Sequence, residues 1–365
     1  MKILIIARPF TFHGGVENAT AGLAAALAAH GHDVHRAGPG RQPALPGVTD
    51  HPLRLPPLPS AARGIALAMA AALVARREPW DVVQSHERTL TQDVYRAGEG
   101  CHRAYLEAMG GAAGRRLHHR VTLALERRAF ARSARVVAIA RRGADEIARH
   151  YAVPPARLSV VYNGVDLERF HPRLRARHRD DARAEAGLTP GAWTILFAGS
   201  GFERKGLATV IDALGRLGDR TARLLVLGRG DVARYRRLAA EGGVGERVVW
   251  LGARPDIERW YAAADALALP SRYEPFGNVH LEALASGLPV VTSVRAGGAE
   301  IIDERSGAAV EPEDPAALAA ALDKFRSRNP AELAAAARAA AEPYTFERQV
   351  TALVTVYRRL PGRNR

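Results

Sequence analysis

The chain has 365 residues, 47% hydrophobic and 25% charged, with a single cysteine, Cys101. That length supports two α/β domains with separate cores, the mixed composition argues against disorder, and one cysteine excludes internal disulfides and thiolate zinc clusters. The net charge of +14 is uneven: residues 1–165 hold 22 Lys and Arg against 12 Asp and Glu, so a phosphate-bearing or otherwise anionic partner is expected near the first half.

The chain opens with Met1-Lys2-Ile3-Leu4-Ile5-Ile6-Ala7-Arg8, too short an apolar stretch for a signal peptide and better read as a buried first strand. The longest apolar run, Gly64 to Ala75, is well short of a membrane span, and a cytoplasmic location is expected. In the first half, strands are predicted at 2–7, 33–37, 81–84, 135–140 and 158–162, and helices at 16–30, 61–77 and 141–150. The proline-rich stretch from Arg41 to Pro59 reads as a loop, because proline obstructs both helix and ladder hydrogen bonding. After the turn Asn163-Gly164-Val165-Asp166, strands are predicted at 193–198, 224–227, 247–250, 266–269 and 290–292. Helices fall near 204–217, 231–242, 255–264 and 278–286, and the alanine-rich stretches 316–342 and 344–359 also read as helical. Strands alternating with helices predict two doubly wound domains, 1–165 and 166–343. A last helix, within 344–365, crosses back to the first. Ligands are expected in a cleft at the carboxyl ends of the strands.

Four motifs carry chemistry. In Glu274-Pro275-Phe276-Gly277-Asn278-Val279-His280-Leu281-Glu282, two carboxylates eight apart bracket a turn between a strand and a helix. Amides near Gly277, Asn278 and Val279 then form a helix amino terminus suited to phosphate. Taken singly, Glu274 reads as a surface residue and Glu282 as a partner of the helix dipole. Arg204 and Lys205 follow the glycine-rich Gly199-Ser200-Gly201 directly after a predicted strand. Lys205 is one of only three lysines among 52 basic residues, and the pair offers fork and point-charge contacts to a diphosphate. Gly14-Gly15, between the first strand and first helix, would let a diphosphate approach backbone amides, although the dinucleotide fingerprint G-x-G-x-x-G is absent. His86, after the strand 81–84, is a candidate polar group at a reacting centre; alone, it reads more simply as structural.

In this order the motifs resemble retaining glycosyltransferases of family 4, which show Gly-Gly-x-Glu after the first strand, an Arg-Lys pair in the second domain, and Glu-x7-Glu. Here these are Gly14-Gly15-Val16-Glu17, Arg204-Lys205 and Glu274…Glu282, with Asn163-Gly164-Val165-Asp166 as the hinge. Within the family, Asp93-Val94-Tyr95-Arg96-Ala97-Gly98-Glu99-Gly100-Cys101 and the basic segment after it are similar to the glucosyltransferases of the lipopolysaccharide core. Ala19 departs from that group, which has an acidic residue there. The resemblance implies a GT-B fold, two Rossmann-like domains facing a central cleft, and transfer of a hexose to a glycan or lipid-linked acceptor. Its donor would be a nucleoside-diphosphate sugar, UDP-glucose favoured.

By the same resemblance, Arg204 and Lys205 neutralise the leaving diphosphate, helped by Gly14, Gly15 and the amides of Gly277, Asn278 and Val279. Glu282 holds the ribose, Glu274 the donor sugar, and His86 sits near the reacting carbon. No metal or other cofactor is expected, and no Asp-x-Asp occurs in the sequence. A sugar-nucleotide epimerase of similar fold is the alternative. Nucleic acid is not an expected partner, for no recognition signature of that class is present. Residues 101–150 hold 11 arginines and four acidic residues. Leu117, Val121 and Ala124 follow helical spacing beside Arg116, Arg120 and Arg127, so residues 101–132 read either as an ordinary domain helix with a solvated basic face or as a contact to an anionic membrane.

Overall fold

The computed structural model describes residues 1–8, 15–110 and 116–361. It divides into two compact units, one built from residues up to Gly164 and again from Phe346 on, the other from Val165–Thr345. Unit 1 contains strands β1 (Lys2–Ile6), β2 (Asp33–Pro39), β3 (Val48–Leu53), β4 (Val82–Ser85), β5 (Val94–Ala97), β6 (Arg135–Ala138) and β7 (Leu158–Val160). They form one parallel sheet in the order β3-β2-β1-β4-β5-β6-β7. Its helices are α1 (Gly15–Ala29), α2 (Ser60–Ala75), α3 (His102–Ala108), α4 (Leu117–Arg132) and α5 (Arg141–Tyr151).

Unit 2 begins with α6 (Leu174–Glu185), β8 (Thr194–Ala198), α7 (Phe202–Lys205), α8 (Leu207–Arg216), β9 (Arg223–Leu227), α9 (Val232–Glu241) and β10 (Val248–Gly252). It continues with α10 (Ile257–Ala263), β11 (Ala266–Leu269), α11 (Asn278–Ala285), β12 (Val290–Ser293), β13 (Gly307–Val310), α12 (Pro315–Arg326) and α13 (Pro330–Ala341). This sheet is also parallel, in the order β10-β9-β8-β11-β12-β13. The chain then returns to unit 1 with α14 (Phe346–Tyr357).

Strands covered on both faces must be apolar throughout, and β1 and β8 are the clearest cases. Ile3 and Ile5 face Leu23, Leu27, Val350 and Leu353 of α1 and α14, while the alternate residues Leu4 and Ile6 face Ala71, Val74 and Trp80. In unit 2, Ile195 and Phe197 share a core with Val210, Leu214, Leu224 and Leu322. In both sheets the strand order reverses beside the first strand, between β1 and β4 and between β8 and β11. In open α/β sheets ligands generally bind outside the carboxyl ends of the strands at such a reversal.

The structure corrects several expectations. The stretch 41–59 is not all loop: β3 pairs with β2 along the sheet edge, with Pro52 opposite Gly38. An edge strand tolerates the missing N–H of a proline. β5, with Arg96 at its centre, and β13 lack the long apolar run of their neighbours. Residues 316–342 are two helices, α12 and α13, separated where Asn329 caps the second and Pro330 opens it. Gly206, at φ 78°, divides 204–217 into α7 and α8. On α4, the buried side is His119, Glu126, Ala129 and Phe130, so the Leu117-Val121-Ala124 stripe is not its core face and Leu117 is exposed.

The sequence reading also misses α6, which is held mainly by charge. Its Arg175, Arg179 and Arg183, one turn apart, donate to the carbonyls of residues 262–264 at the end of α10. Asp265 accepts from Arg175 (2.7 Å), Arg179 (2.9 Å) and the Thr194 amide (2.9 Å). Removing that carboxylate leaves part-buried guanidinium groups and an amide without their acceptor. Asp265→Ala should therefore lower stability by about 3 kcal/mol in urea unfolding, the loss typical of a broken buried ion pair; a change within error would show that the α10 carbonyls alone hold α6.

Candidate active site

The two loops at the switch point of unit 2 meet through charge. After β8, Gly199 crosses beneath the Lys205 side chain, where a Cβ would fall 2.9 Å from its Cδ. Gly206 then turns the chain with positive φ against the Pro270 carbonyl, 2.2 Å from where a Cβ would sit, so no other residue fits there without a backbone shift. After β11, the turn carries Glu274. Its Oε2 accepts from the Lys205 ammonium at 2.5 Å and from Arg204 at 3.0 Å, and Arg204 also donates to the Tyr273 carbonyl at 2.9 Å. Glu274 and Lys205 are buried; Arg204 is partly exposed.

Burial alone would raise the Glu274 carboxyl, but the Lys205 and Arg204 charges override it and hold it at about 2. Burial also pulls the Lys205 ammonium below its ordinary range, against the attraction of Glu274. The Glu274 backbone is held from the next loop: its carbonyl accepts from the Gly297 amide at 2.9 Å, and it bridges Ala296. The sequence reading overlooks this third loop; the Gly297-Gly298 pair following β12 is the signal that could have found it.

Helix α11 starts from Gly277, at φ 84°, and no side chain caps it. Gly277, Asn278 and Val279 are partly exposed, and uncapped first-turn amides carry the positive end of the helix dipole. One turn in, buried Glu282 accepts from the Tyr261 hydroxyl at 2.8 Å, and burial raises its carboxyl. His280, another residue the sequence reading does not use, lies beneath the turn. Its Nδ1 donates to the Phe276 carbonyl and its Nε2 contacts the Thr292 hydroxyl, both at 3.0 Å. A Cβ on Gly298 would reach 2.2 Å from the His280 ring.

The structure thus brings Arg204, Lys205 and Glu274 into one cluster and sets Glu282 on the helix that follows. His86 belongs to unit 1, after β4. Its Nδ1 contacts the Thr20 hydroxyl at 3.0 Å and its Nε2 the Gln84 amide at 2.8 Å, while Tyr357 donates to Gln84 Oε1 at 2.8 Å. Burial, then the Arg96 charge, pushes the imidazole well below its ordinary pKa, and a neutral ring with Nδ1–H toward Thr20 fits both contacts. Arg96 is itself buried, donates to the Asn163 side chain, and is lowered to about 10 by desolvation. Glu87, next to His86, pairs with Arg8 at 2.9 Å. Gly14 lies outside the described residues; Gly15 is the first residue of α1.

Two all-parallel α/β units, with a cationic pair and an uncapped helix terminus at a switch point of the second, define a GT-B fold. Residues 13–169 match the family model described as Glycosyltransferase Family 4, and residues 192–328 match Glycosyl transferases group 1. The chain belongs to this glycosyltransferase family.

It is 35% identical over 247 residues to a D-inositol 3-phosphate glycosyltransferase of Xylanimonas cellulosilytica, covering 64% of this chain and 58% of the relative. It is 33% identical over 200 residues to an uncharacterized glycosyltransferase of Methanocaldococcus jannaschii, covering 53% and 51%. The chain therefore matches between half and three fifths of the length of these curated relatives. Among solved structures, WaaG, a glycosyltransferase involved in lipopolysaccharide biosynthesis, superposes with a TM-score of 0.83 at 24% identity, covering 99% of this chain and all of WaaG. HepE of Anabaena, solved with UDP and glucose, gives 0.77 at 19% identity, covering 99% and 100%. These likenesses establish the fold.

His280 gives the site a pH signature. Burial holds it at about 4 in the folded chain, whereas an unfolded histidine titrates near 6.5. The unfolded state takes up the proton first on acidification, so this contribution to stability is complete above about pH 6.5 and is lost as pH falls toward 4, by up to about 3 kcal/mol. Urea unfolding between pH 7 and pH 5 should show a steep loss in the wild type and a shallower one in His280→Gln; equal slopes would remove His280 as a source.

Proposed function

We propose that the protein is a retaining, metal-independent glycosyltransferase that moves a hexose, with glucose favoured, from a UDP-linked donor to a glycan or lipid-linked acceptor. The observation that carries the reading is the cluster of partly exposed Arg204 with buried Lys205 and Glu274 beside the uncapped amino terminus of α11. In this reading Arg204, Lys205 and the amides of Gly277, Asn278 and Val279 take the negative charge that builds on the departing diphosphate. Donors fixed in place before charge develops stabilise a transition state most effectively. Glu274, bonded through Oε2, holds a donor-sugar hydroxyl with Oε1, and Glu282 holds the ribose. Gly14 and Gly15 also meet the diphosphate. His86, oriented by Thr20 and Gln84, serves the donor sugar as a neutral group. Retention follows from attack on the same face as departure, a diphosphate oxygen accepting the acceptor's proton.

The two cations give the test. In a UDP-release assay run in EDTA with saturating UDP-glucose and a glycan acceptor, wild-type turnover should persist, and Lys205→Ala should lower it by roughly 10²–10³-fold, as loss of one preorganised donor does. Glu282→Gln should instead raise the donor KM with less effect on kcat. Near-normal kcat in Lys205→Ala, or inhibition by EDTA that magnesium reverses, would overturn the assignment.

The acceptor side is proposed to work at an anionic membrane surface on the cytoplasmic face, through residues 101–132. No helix among the described residues is long and apolar enough to cross a membrane. Arg116, Leu117, Arg120, Arg127, Arg128 and Arg132 of this segment are exposed. Neighbouring α2 exposes Ile65 (45%), Met69 (60%) and Leu73 (63%) at four-residue spacing, an apolar stripe suited to a headgroup boundary. Each arginine at an anionic surface contributes about 1 kcal/mol. The protein should sediment with vesicles containing anionic lipid and not with neutral ones. Combined Arg116→Glu, Arg120→Glu and Arg127→Glu should abolish sedimentation while UDP still binds; indifference of the wild type to anionic vesicles at low salt would end the membrane reading.

A further inference from the structure

Unit 2 has a second concavity, at the other end of its sheet. Arg204, Lys205 and Glu274 follow the carboxyl ends of β8 and β11, but Trp193, Asp265 and Pro289 immediately precede β8, β11 and β12. These three residues line a cavity of about 310 Å³, walled by the start of α6, the end of α11 and the junction of α12 with α13. That volume is at the lower end of small-molecule sites.

Its lining is chemically divided. Trp193, Phe325 and Leu333 supply apolar surface, while Arg175, Arg326 and Arg328 lie around it. Arg175 answers Asp265, and Arg326 answers Asp323 and Asp219. Arg328 has no carboxylate partner among the described residues: it donates to the Glu304 carbonyl at 3.0 Å and lies over the Phe325 ring. Carbonyls satisfy its N–H groups without neutralising its charge. Beside it begins α13, whose first-turn amides are already taken by the Asn329 side chain. Ser286 also lines the cavity, but its hydroxyl oxygen is itself closed off, without a hydrogen-bond partner among the described residues. Gly287 keeps the wall narrow, since a Cβ there would meet Pro172 at 3.1 Å and Ala334 at 3.2 Å.

We infer that this cavity is a second small-molecule site, separate from the proposed donor site, taking a phosphorylated ring compound of hexose-phosphate size. The phosphate meets Arg328 and Arg326, and the ring lies on Trp193. A guanidinium fork suits phosphate geometry, and one compact ring with its phosphate suits the volume.

Isothermal titration of the full chain with glucose 6-phosphate tests this, with glucose and inorganic phosphate as controls and saturating UDP present in a parallel series. Glucose 6-phosphate should bind saturably, at least tenfold more tightly than either control, with affinity unchanged by UDP. Arg328→Ala should weaken it at least tenfold and Trp193→Leu several-fold, both variants keeping wild-type UDP affinity as proof of folding. Absence of saturable binding, equal affinity in Arg328→Ala, or displacement by UDP would overturn the inference. Failure of UDP itself to bind would count against the donor reading alone, because the titration without UDP stands independently.

Discussion

A lysine ammonium can be buried between two loops only if a countercharge is buried with it. Desolvation works against Lys205 and Glu274 separately, and each makes the other tenable. Much of the surrounding structure serves to deliver the two groups to one point. Gly199 leaves room for the lysine stem, and Gly206 lets α7 stop after Lys205 so that α8 can restart against Pro270. On the other side Glu274 is fixed through its backbone by Gly297, and Gly298 is small because His280 lies against it. Loops after β8, β11 and β12 are therefore tied into one arrangement before any ligand arrives. Such a site is preorganised, and preorganisation is what electrostatic catalysis needs.

Glu274 and Lys205 could be picked from the sequence because their neighbourhood is crowded with residues of special backbone use. Gly199, Gly201, Gly206, Pro275 and Gly277 stand within a few positions of charged groups that follow apolar strands. Strands β8 and β11 are readable for a related reason: each is buried along its length and written mainly in apolar residues, as β1 is after Lys2. Where burial is reached by other means, that signal fails. β5 places Arg96 in the interior, α6 rests on three arginines and one aspartate, and α4 turns Glu126 inward to meet Arg88 and Tyr151. Polar groups satisfied inside a protein look, in sequence, like polar groups facing water.

His86 and His280 illustrate the same limit at the scale of one side chain. Both are buried, both have two ring contacts, and burial pushes both below the ordinary histidine range. In the sequence His86 stands out by its place after a strand, whereas His280 lies inside a helix and carries no such signal. Position relative to strand ends suggests which histidine can meet a ligand; it does not reveal which are held by Thr20 and Gln84 or by Phe276 and Thr292. Thr20 and Thr292 come from other elements, 66 and 12 residues away, so only the fold displays those contacts.

Under the proposed function, the charge balance of the cluster also explains why α11 begins without a side-chain cap. Arg204 and Lys205 carry two positive charges and Glu274, ionised because those charges hold its carboxyl at about 2, carries one negative. One net positive charge is too little for a diphosphate that leaves with two or more negative charges. Moving Glu274 aside would free both cations but would lose its grip on the donor sugar. An acidic or hydroxyl cap at Gly277 would occupy the first-turn amides that could supply the balance. Glycine there adds no side-chain cap and lets the turn adopt a positive φ. The same residue therefore meets two demands, backbone geometry and the electrostatics of the leaving group.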